Sequence, residues 1–241
     1  ITLSDTILPN EDVNYILYSH DAYANIFQRQ LKATFTGLTK VYNAVTDGQS
    51  TYTISGIING DIIDISNIYT SNFYDINVED NKLMFINYVN LIGEDYFNYV
   101  IDASGYAYGQ IIQKQLIPNF YSLGKVYDRN QYAPIAYNLS GFFPIDIGHV
   151  DISFVWVATY RDYNVNIGIP IDISNIIIWG DKVVINNYYI ISTSTISGII
   201  SKRYLYTTGI DKNYDRSLLA NVSILYKNPI PYDNSCLVLF E

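Results

Sequence analysis

The sequence contains an internal repeat. Residues 22–62 align with residues 107–147 at a constant offset of 85 without gaps, and 16 of these 41 positions are identical. Unrelated segments of similar composition would share roughly three or four positions, so a chance match is a poor explanation. The repeat predicts that the chain consists of consecutive copies of one module. The repeated polar and aromatic residues include Gln28, Gln30, Lys40 and Tyr42, which return as Gln113, Gln115, Lys125 and Tyr127.

These repeated residues have two interpretations. A fold requires inward-facing apolar residues and particular turns at the same place in each copy, and Ser55-Gly56 with Ser140-Gly141 is typical of such a turn or bulge. The repeated polar side chains could instead line two equivalent binding sites. We favour the first interpretation because no set of reactive side chains is duplicated.

The alignment breaks beyond residue 62. The hexapeptide Ile63-Asp-Ile-Ser-Asn-Ile68 recurs letter for letter at residues 171–176, which indicates an insertion of roughly twenty residues near 148–170. Two weaker echoes lie outside the main match, where Lys212–Arg216 resembles Lys125–Arg129 and Asn14-Tyr15 resembles Asn98-Tyr99. These echoes suggest a repeating unit of about 85 residues whose boundaries do not coincide with the two ends of the sequence. We predict modules over residues 1–106 and 107–241.

Composition predicts the fold class. The chain has 25 tyrosines, and β-branched and aromatic residues suit half-buried strands, while its many Asn, Asp and Ser residues favour turns. Strand-like runs follow one another without alternating helices, which is typical of a sandwich. We therefore expect an all-β fold of two tandem duplicated β-sandwich modules, with jelly-roll and immunoglobulin-like topologies both open. A short helix within 11–25 is possible, and the predicted strands include 27–36, 82–91, 112–121, 150–160, 182–191, 219–226 and 235–240.

Charge and cysteine content exclude several classes of protein. The net charge is −9 and only 15% of residues are charged, which argues against a nucleic-acid binder because phosphate recognition needs clustered Lys and Arg. No apolar stretch is long enough for a membrane-spanning helix. The single cysteine, Cys236, permits no intramolecular disulfide and indicates either a buried strand residue or an intermolecular bond. The chain opens with Ile1, which suggests a removed leader or a longer polypeptide.

No recognised catalytic or metal-binding motif occurs. His20 and His149 lack metal-ligand spacing, and neither a Gly-x-Ser-x-Gly motif nor a phosphate-binding loop is present. Carboxylate pairs such as Asp61 with Asp64 are more typical of turns than of glycoside hydrolysis or calcium binding. We predict that the protein is not an enzyme and holds no cofactor and no metal.

Two kinds of surface site are candidates. Trp156, Tyr160, Arg161 and Tyr163 lie in the expected insertion and offer aromatic and basic side chains for a contact surface. The sequons Asn138-Leu-Ser140 and Asn221-Val-Ser223 make Asn138 and Asn221 candidate glycosylation sites.

The chain is rich in Ile, Tyr and Asn, poor in cysteine and weakly charged, and in these features it resembles structural proteins of archaeal viruses and archaeal surface filaments. The resemblance implies a capsid, turret, tail or filament subunit, in a virion or at the cell surface. Its partners would be copies of itself and other structural subunits, and a sheet edge would be completed by a neighbour. The alternative is an adhesin module that binds a receptor or a host-surface glycan through the contact surface named above.

Overall fold

The structure is a computed structural model that describes residues 23–66, 68–153, 155–204, 206–219, 222–225 and 230. It is all-β, with 49% strand, 5% helix and curled, barrel-like sheets, which confirms the all-β part of the prediction, while the two tandem β-sandwich modules stay a prediction. Four predictions concern residues outside the described ones: His20, most of the possible helix at 11–25, the glycosylation site Asn221 and the final strand that contains Cys236.

The chain divides into two compact units. Unit 1 comprises Ile1–Thr39, Thr46–Tyr74 and Asn81–Gln110, and unit 2 comprises Lys40–Val45, Asp75–Asp80 and Ile111–Glu241. Two short segments from the first half of the chain therefore belong to the second unit. The predicted modules, 1–106 and 107–241, assign both segments to the first module. The boundary between the modules stays a prediction.

Short strands make up the first half of the chain. Within unit 1, β1 pairs with β10 in parallel, while β2 pairs with β5 and β6 with β9 in antiparallel fashion. A five-stranded sheet has the order β3-β11-β8-β7-β4. A 3-10 turn spans Tyr96–Asn98. The strands are β1 (Arg29–Gln30), β2 (Lys32–Gly37), β3 (Thr39–Val41), β4 (Asp47–Gly48), β5 (Ser50–Ser55), β6 (Asp64–Ile65), β7 (Thr70–Phe73), β8 (Glu79–Asn87), β9 (Leu91–Ile92), β10 (Tyr99–Val100) and β11 (Ser104–Ile112).

The second half repeats this arrangement. β12 pairs with β20 in parallel, β13 with β15 and β16 with β19 in antiparallel fashion, and a four-stranded sheet has the order β14-β21-β18-β17. A further antiparallel pair, β22 with β23, follows. The helical turns are a 3-10 turn at Pro144–Asp146 and α1 at Lys182–Ile185. The strands are β12 (Lys114–Gln115), β13 (Ile117–Ser122), β14 (Lys125–Val126), β15 (Ile135–Ser140), β16 (Val150–Ile152), β17 (Val157–Tyr160), β18 (Asn166–Ser174), β19 (Ile178–Gly180), β20 (Tyr188–Tyr189), β21 (Ser194–Ser201), β22 (Tyr206–Gly209) and β23 (Val222–Leu225).

The strand register agrees with the sequence repeat up to residue 62. The pair Lys32↔Ser55 in β2 and β5 recurs as Ile117↔Ser140 in β13 and β15, with an offset of 85 on both strands. Residues that are 85 apart in these hairpins therefore occupy the same ladder positions.

Beyond residue 62 the register differs from the sequence alignment. The pair Asp64↔Ile92 recurs as Asp151↔Trp179, so the offset here is 87. Residues 148–170 therefore contain counterparts of β6 and β7, and two additional residues replace the expected insertion of roughly twenty. The repeated hexapeptide was misleading because its second occurrence, 171–176, corresponds in register to residues 84–89.

The prediction of a strand over 182–191 was wrong. Gly180 adopts φ +143°, a conformation that side chains rarely adopt, and it ends β19. The amide of Ile185 then donates to the carbonyl oxygen of Asp181 over 2.9 Å, which closes the helical turn α1 before β20 begins.

The two units bury equivalent residues. Five positions that are at most 2% exposed in unit 1 have counterparts that are at most 1% exposed in unit 2, and the offsets are 85 or 87 as the registers require. Repeated burial at repeated strand positions is the packing expected of copies of one module. The pairs are Leu31 with Leu116, Ile65 with Ile152, Phe73 with Tyr160, Met84 with Ile171 and Ile86 with Ile173.

Three loops share one local structure, and we call them the lysine loops: Lys40–Val45, Lys125–Asn130 and Lys212–Ser217. In each, the lysine Nζ donates to the side chain three residues ahead and to the carbonyl oxygen five residues ahead. In each, the residue four positions after the lysine has a φ of 60–62°. The weak sequence match at 212–216 therefore corresponds to a shared local structure.

Candidate functional site

A buried aspartate in unit 2 accepts hydrogen bonds from two tyrosines. Asp146 ends the 3-10 turn Pro144–Asp146 and is 4% exposed. Its Oδ2 accepts from the hydroxyl of Tyr42 at 3.0 Å and from that of Tyr188 at 2.5 Å. The Tyr188 hydroxyl also accepts from the amide of Phe143 at 3.1 Å. We call this arrangement the tyrosine–aspartate site.

The Tyr42 ring fixes the first lysine loop in this site. Its centroid lies 5.4 Å from that of Tyr188 and 5.8 Å from that of Phe143, both in edge-to-face geometry. Such pairs contribute about 0.5–1.5 kcal/mol beyond the burial of area. The amide of Tyr42 donates to the carbonyl oxygen of Ile112 at 2.8 Å. Ring, hydroxyl and backbone therefore all hold this loop in unit 2.

Asn187 holds the second segment that unit 2 takes from the first half of the chain. Its Oδ1 accepts from the amide of Val78 at 2.8 Å, and its Nδ2 donates to Asn77 Oδ1 at 3.1 Å. Asn187 is 2% exposed, and its carbonyl oxygen accepts from the amide of Lys114. One buried amide side chain thus binds the segment Asp75–Asp80 through both of its polar atoms.

Three tyrosines that donate to aspartates, Tyr42, Tyr188 and Tyr52, are difficult to ionise. Burial, followed by the hydrogen bond to Asp146, raises the pKa of the Tyr42 hydroxyl to about 12, and the same causes raise the pKa of Tyr188. A hydrogen bond to Asp64, followed by burial, raises the pKa of Tyr52 to about 12. Burial disfavours the charged phenolate, the hydrogen bond to the carboxylate favours the neutral hydroxyl, and repulsion between phenolate and carboxylate adds to both.

This shift predicts a late phase in an alkaline titration. A folded-state pKa above the ordinary value of 10.0 means that the stabilisation from Tyr42 is present below pH 10 and is lost as the pH rises toward 12. We expect the tyrosinate absorbance of Tyr42 and Tyr52 to rise only as the pH approaches 12, in a late phase of the titration. Tyr42→Phe should diminish this late phase. A late phase that is unchanged by Tyr42→Phe would contradict this assignment.

Unit 1 contains the counterpart of the tyrosine–aspartate site. The Tyr99 hydroxyl donates to Asp61 Oδ2 at 2.5 Å and accepts from the amide of Ile58 at 3.0 Å. Here, however, Asp61 is half-buried, and Asn98, at the position of Asn187, is exposed. Ile58, at the position of Phe143, is 53% exposed. Tyr99 itself is 3% exposed, so what differs from unit 2 is the greater exposure of the carboxylate, the asparagine and the apolar residue beside it.

Unit 2 also repeats the segment that Asn187 binds. Asp75-Ile-Asn-Val78 recurs as Asp162-Tyr-Asn-Val165, and in both the amide of the asparagine donates to the aspartate Oδ1, at 2.7 and 2.9 Å. Residues 75–78 are half-buried, whereas 162–165 are exposed. We call these two segments the Asp-x-Asn-Val loops. This match is hidden in the sequence because the second loop falls within the insertion expected near 148–170.

The predicted contact surface is only partly available. Tyr160 is 0% exposed, with its hydroxyl 3.2 Å from both Ser122 Oγ and the carbonyl oxygen of Ile199, so a role in surface contacts is wrong for this residue. Trp156 packs against the core of unit 2 and the ring of Phe120 and is half-buried.

The other two residues of that surface are exposed. Arg161 makes a bidentate pair with Asp172, at 2.8 Å for both bonds, so its guanidinium is already engaged. Tyr163 is 39% exposed and belongs to the second Asp-x-Asn-Val loop. The exposed part of the predicted contact surface therefore lies in the loop that follows β17 and not in the strand itself.

Asn138 is exposed in β15, opposite Asn119 of β13. The hydroxyl of Ser140, the third residue of its sequon, donates to the carbonyl oxygen of Ile117 at 3.2 Å. Glycosylation of Asn138 stays a prediction, as does that of Asn221, which lies outside the described residues.

Across the described residues, no three His, Cys, Asp or Glu side chains come together as metal ligands would. His149 Nδ1 lies 2.6 Å from Asp181 Oδ2 in an exposed pair. In the same part of the chain, every helix is too short or too polar to cross a membrane.

A scan against protein-family models, a search of curated proteins and a search of solved structures find no match to this chain.

Proposed function

We propose that this protein is a non-enzymatic structural subunit built from tandem copies of one β-sandwich module and made to assemble with further modules. The observation that carries the proposal is the tyrosine–aspartate site, which occurs in both units and, in unit 2, is occupied by a loop whose sequence and conformation are themselves repeated. A loop and a site that recur together are the two halves of a module-to-module contact.

The chemistry of the site suits such a role. Repeat proteins gain much of their stability from contacts between neighbouring repeats. Tyrosine is enriched at interfaces because it offers a rigid ring and a polar tip, and here both parts are used, in ring packing and in bonds to an aspartate. The resemblance in composition to structural proteins of archaeal viruses and archaeal surface filaments suggests a virion or an extracellular filament as the setting.

The proposal predicts association of the purified chain. Light scattering after size exclusion, over a series of protein concentrations, measures the molar mass, and electron microscopy of the largest species shows its form. We expect discrete oligomers or growing polymers. A monomer at every concentration would contradict a self-assembling subunit.

A second candidate function is glycan binding by an adhesin module. Unit 1 contains an open groove of about 1040 Å³ lined by residues of β2, β8 and β11, with Phe35, Phe85 and Tyr106 among them. Tyr106 is 68% exposed and Phe85 is 43% exposed. Exposed aromatic faces beside polar groups can stack on sugar rings.

A glycan-array screen of the labelled protein tests this alternative. Binding that Tyr106→Ala removes would support it, with Tyr132→Ala as the matched control at an exposed tyrosine outside the groove. Binding that survives Tyr106→Ala, or no binding at all, would contradict a lectin function for this groove.

A further inference from the structure

We propose that Asn59 is a site of spontaneous deamidation, which converts its side-chain amide to a carboxylate and alters the turn that presents Asp61 to Tyr99 in unit 1. The reaction consumes water and needs no enzyme. It is a property of this turn and does not depend on whether the chain assembles with further modules.

The sequence of the turn favours the reaction. Asn59 is followed by Gly60, and an asparagine followed by a glycine occurs once in the chain. Deamidation begins when the backbone nitrogen of the following residue attacks the asparagine Cγ. A glycine has no side chain to obstruct this attack, and its backbone adopts conformations that other residues avoid. Asn59 is therefore the asparagine of this chain with the least hindered route to the reaction.

Asn59 and Gly60 are the two central residues of a tight turn. The amide of Asp61 donates to the carbonyl oxygen of Ile58 at 3.1 Å, which closes the turn. Gly60 has a φ of +103°, and a Cβ there would meet nothing within 4 Å. Because the turn faces open space, neighbouring chain does not block the movement that brings the Gly60 nitrogen to the Asn59 side chain.

The two reacting groups are not held by other bonds. Asn59 and Gly60 are both exposed, and among the described residues neither the Asn59 side chain nor the Gly60 amide has a hydrogen-bond partner. Asn43 provides a contrast, since it precedes the small residue Ala44 but its Oδ1 accepts from Lys40 Nζ at 2.7 Å. A side chain fixed in this way cannot rotate into position for attack, whereas that of Asn59 can.

The reaction passes through a cyclic imide. The Gly60 nitrogen gives its proton to hydroxide and forms a bond to Asn59 Cγ, while the bond from Cγ to the side-chain nitrogen breaks. Ammonia leaves after taking a proton from water. Water then opens the resulting succinimide at either of its two carbonyl carbons. One opening yields aspartate, and the other yields isoaspartate, in which the main chain runs through the former side chain and is longer by one methylene.

Both products change the tyrosine–aspartate site of unit 1. Asp61 lies two residues after Asn59 and accepts from the Tyr99 hydroxyl at 2.5 Å. Either product adds a second carboxylate near Asp61, and like charges repel each other. Isoaspartate also lengthens the turn, which displaces the bond from the Asp61 amide to Ile58. We therefore expect the modification to weaken the bond between Asp61 and Tyr99.

The equivalent turn of unit 2 lacks the reactive pair. The amide of Asp146 donates to the carbonyl oxygen of Phe143 at 2.9 Å, so the closing bond is the same. The two central residues are Pro144 and Ile145 in place of asparagine and glycine. The modification is therefore specific to unit 1, where the aspartate is the more exposed of the two.

Mass spectrometry of peptides from the purified, folded chain tests the proposal. Samples are incubated at mildly alkaline pH, because hydroxide removes the amide proton. Deamidation adds about one dalton to a peptide, and an isoaspartyl methyltransferase labels isoaspartate. Asn213 is the internal control, since it is exposed and free of hydrogen bonds to described residues but precedes Tyr214. We expect Asn59 to react roughly tenfold faster than Asn213, because the attacking nitrogen of glycine is unhindered.

Variants test the effect on unit 1. Asn59→Gln stops the reaction, because attack on its longer side chain forms a less favourable six-membered ring, and Asn213→Gln is the matched control at an exposed asparagine. Urea unfolding is measured before and after incubation. We expect the unfolding midpoint to fall in the wild type and in Asn213→Gln, and to stay constant in Asn59→Gln.

The outcomes separate the modification from its effect. An Asn59 that stays unmodified, or that reacts no faster than Asn213, would overturn the proposed site. Complete deamidation of Asn59 with an unchanged unfolding midpoint would overturn the proposed effect on the bond between Asp61 and Tyr99. A self-assembling subunit stays in place in either case, because light scattering of the fresh chain tests that function separately.

Discussion

Gly180→Ala is expected to destabilise unit 2 by about 3–5 kcal/mol, through steric overlap with backbone and an unfavourable φ. A Cβ at this position would lie 2.2 Å from the carbonyl oxygen of His149, and φ is +143°. The oxygen cannot move away without disrupting the β16–β19 ladder, because Val150, the next residue, pairs with Gly180. Urea unfolding of the wild type and the variant measures the loss.

Gly168→Ala is the matched control. Gly168 also has a positive φ, +77°, but a Cβ there would meet nothing within 4 Å. Only the conformational cost remains, so we expect a loss of about 1 kcal/mol. Equal losses for Gly168→Ala and Gly180→Ala would show that close backbone approach is not the cause. Gly93, the counterpart of Gly180 in unit 1, should behave as Gly180 does, because a Cβ would lie 2.1 Å from the carbonyl oxygen of Ile62.

Asp146→Ala is expected to cost about 3 kcal/mol of folding free energy. The substitution leaves the hydroxyls of Tyr42 and Tyr188 in the interior without their acceptor, and an unsatisfied buried polar group costs about 1–3 kcal/mol. Thermal unfolding followed by near-ultraviolet circular dichroism is the measurement, because edge-to-face tyrosine rings surround the site.

Asp61→Ala provides the comparison within the same chain. Asp61 is half-buried and, among the described residues, accepts from one tyrosine, Tyr99, where Asp146 accepts from two. Fewer buried hydroxyls therefore lose their acceptor, and we expect a cost of about 1 kcal/mol. A loss as large as that of Asp146→Ala would contradict the conclusion that the site in unit 1 is the more accessible one.

The fold class and the first half of the repeat could be predicted from the sequence. Lys32, Phe35 and Ser55 keep their spacing to Ile117, Phe120 and Ser140 because the hairpins β2–β5 and β13–β15 have the same length and register. A gapless sequence match therefore corresponds to a structural one. The tandem β-sandwich topology, in contrast, stays a proposal.

The second half of the repeat was obscured by composition. Short matches between Ile-, Asp-, Ser- and Asn-rich segments arise readily in this chain, and the hexapeptide at 171–176 outweighed the correct but weaker match of Asp64 with Asp151.

Alternating patterns also cannot reveal which face of β17 is buried, so Tyr160 was placed on the surface although it lies in the core.

The tyrosine–aspartate site depends on contacts that no local pattern reveals. Tyr42 and Asp146 both lie in the repeated segments 22–62 and 107–147, but their spacing of 104 gives no hint that they meet. Asn187 could have been noticed through Asn98, since the pairs Asn98-Tyr99 and Asn187-Tyr188 both recur. What distinguishes them, the burial of one and the exposure of the other, appears only in the structure.

The contacts that hold the two early segments in unit 2 join residues that are far apart in the sequence, and this separation affects how the chain can fold. Tyr42 and Asp146 are 104 residues apart, and Val78 and Asn187 are 109 apart. Contacts between distant residues form slowly, since the intervening chain must be ordered before they stabilise anything. During synthesis the early loops leave the ribosome long before Asp146 and Asn187, and can serve as a template for the second unit. Refolding from denaturant lacks this sequence of events and should be slower and more prone to mispairing between the repeated strands.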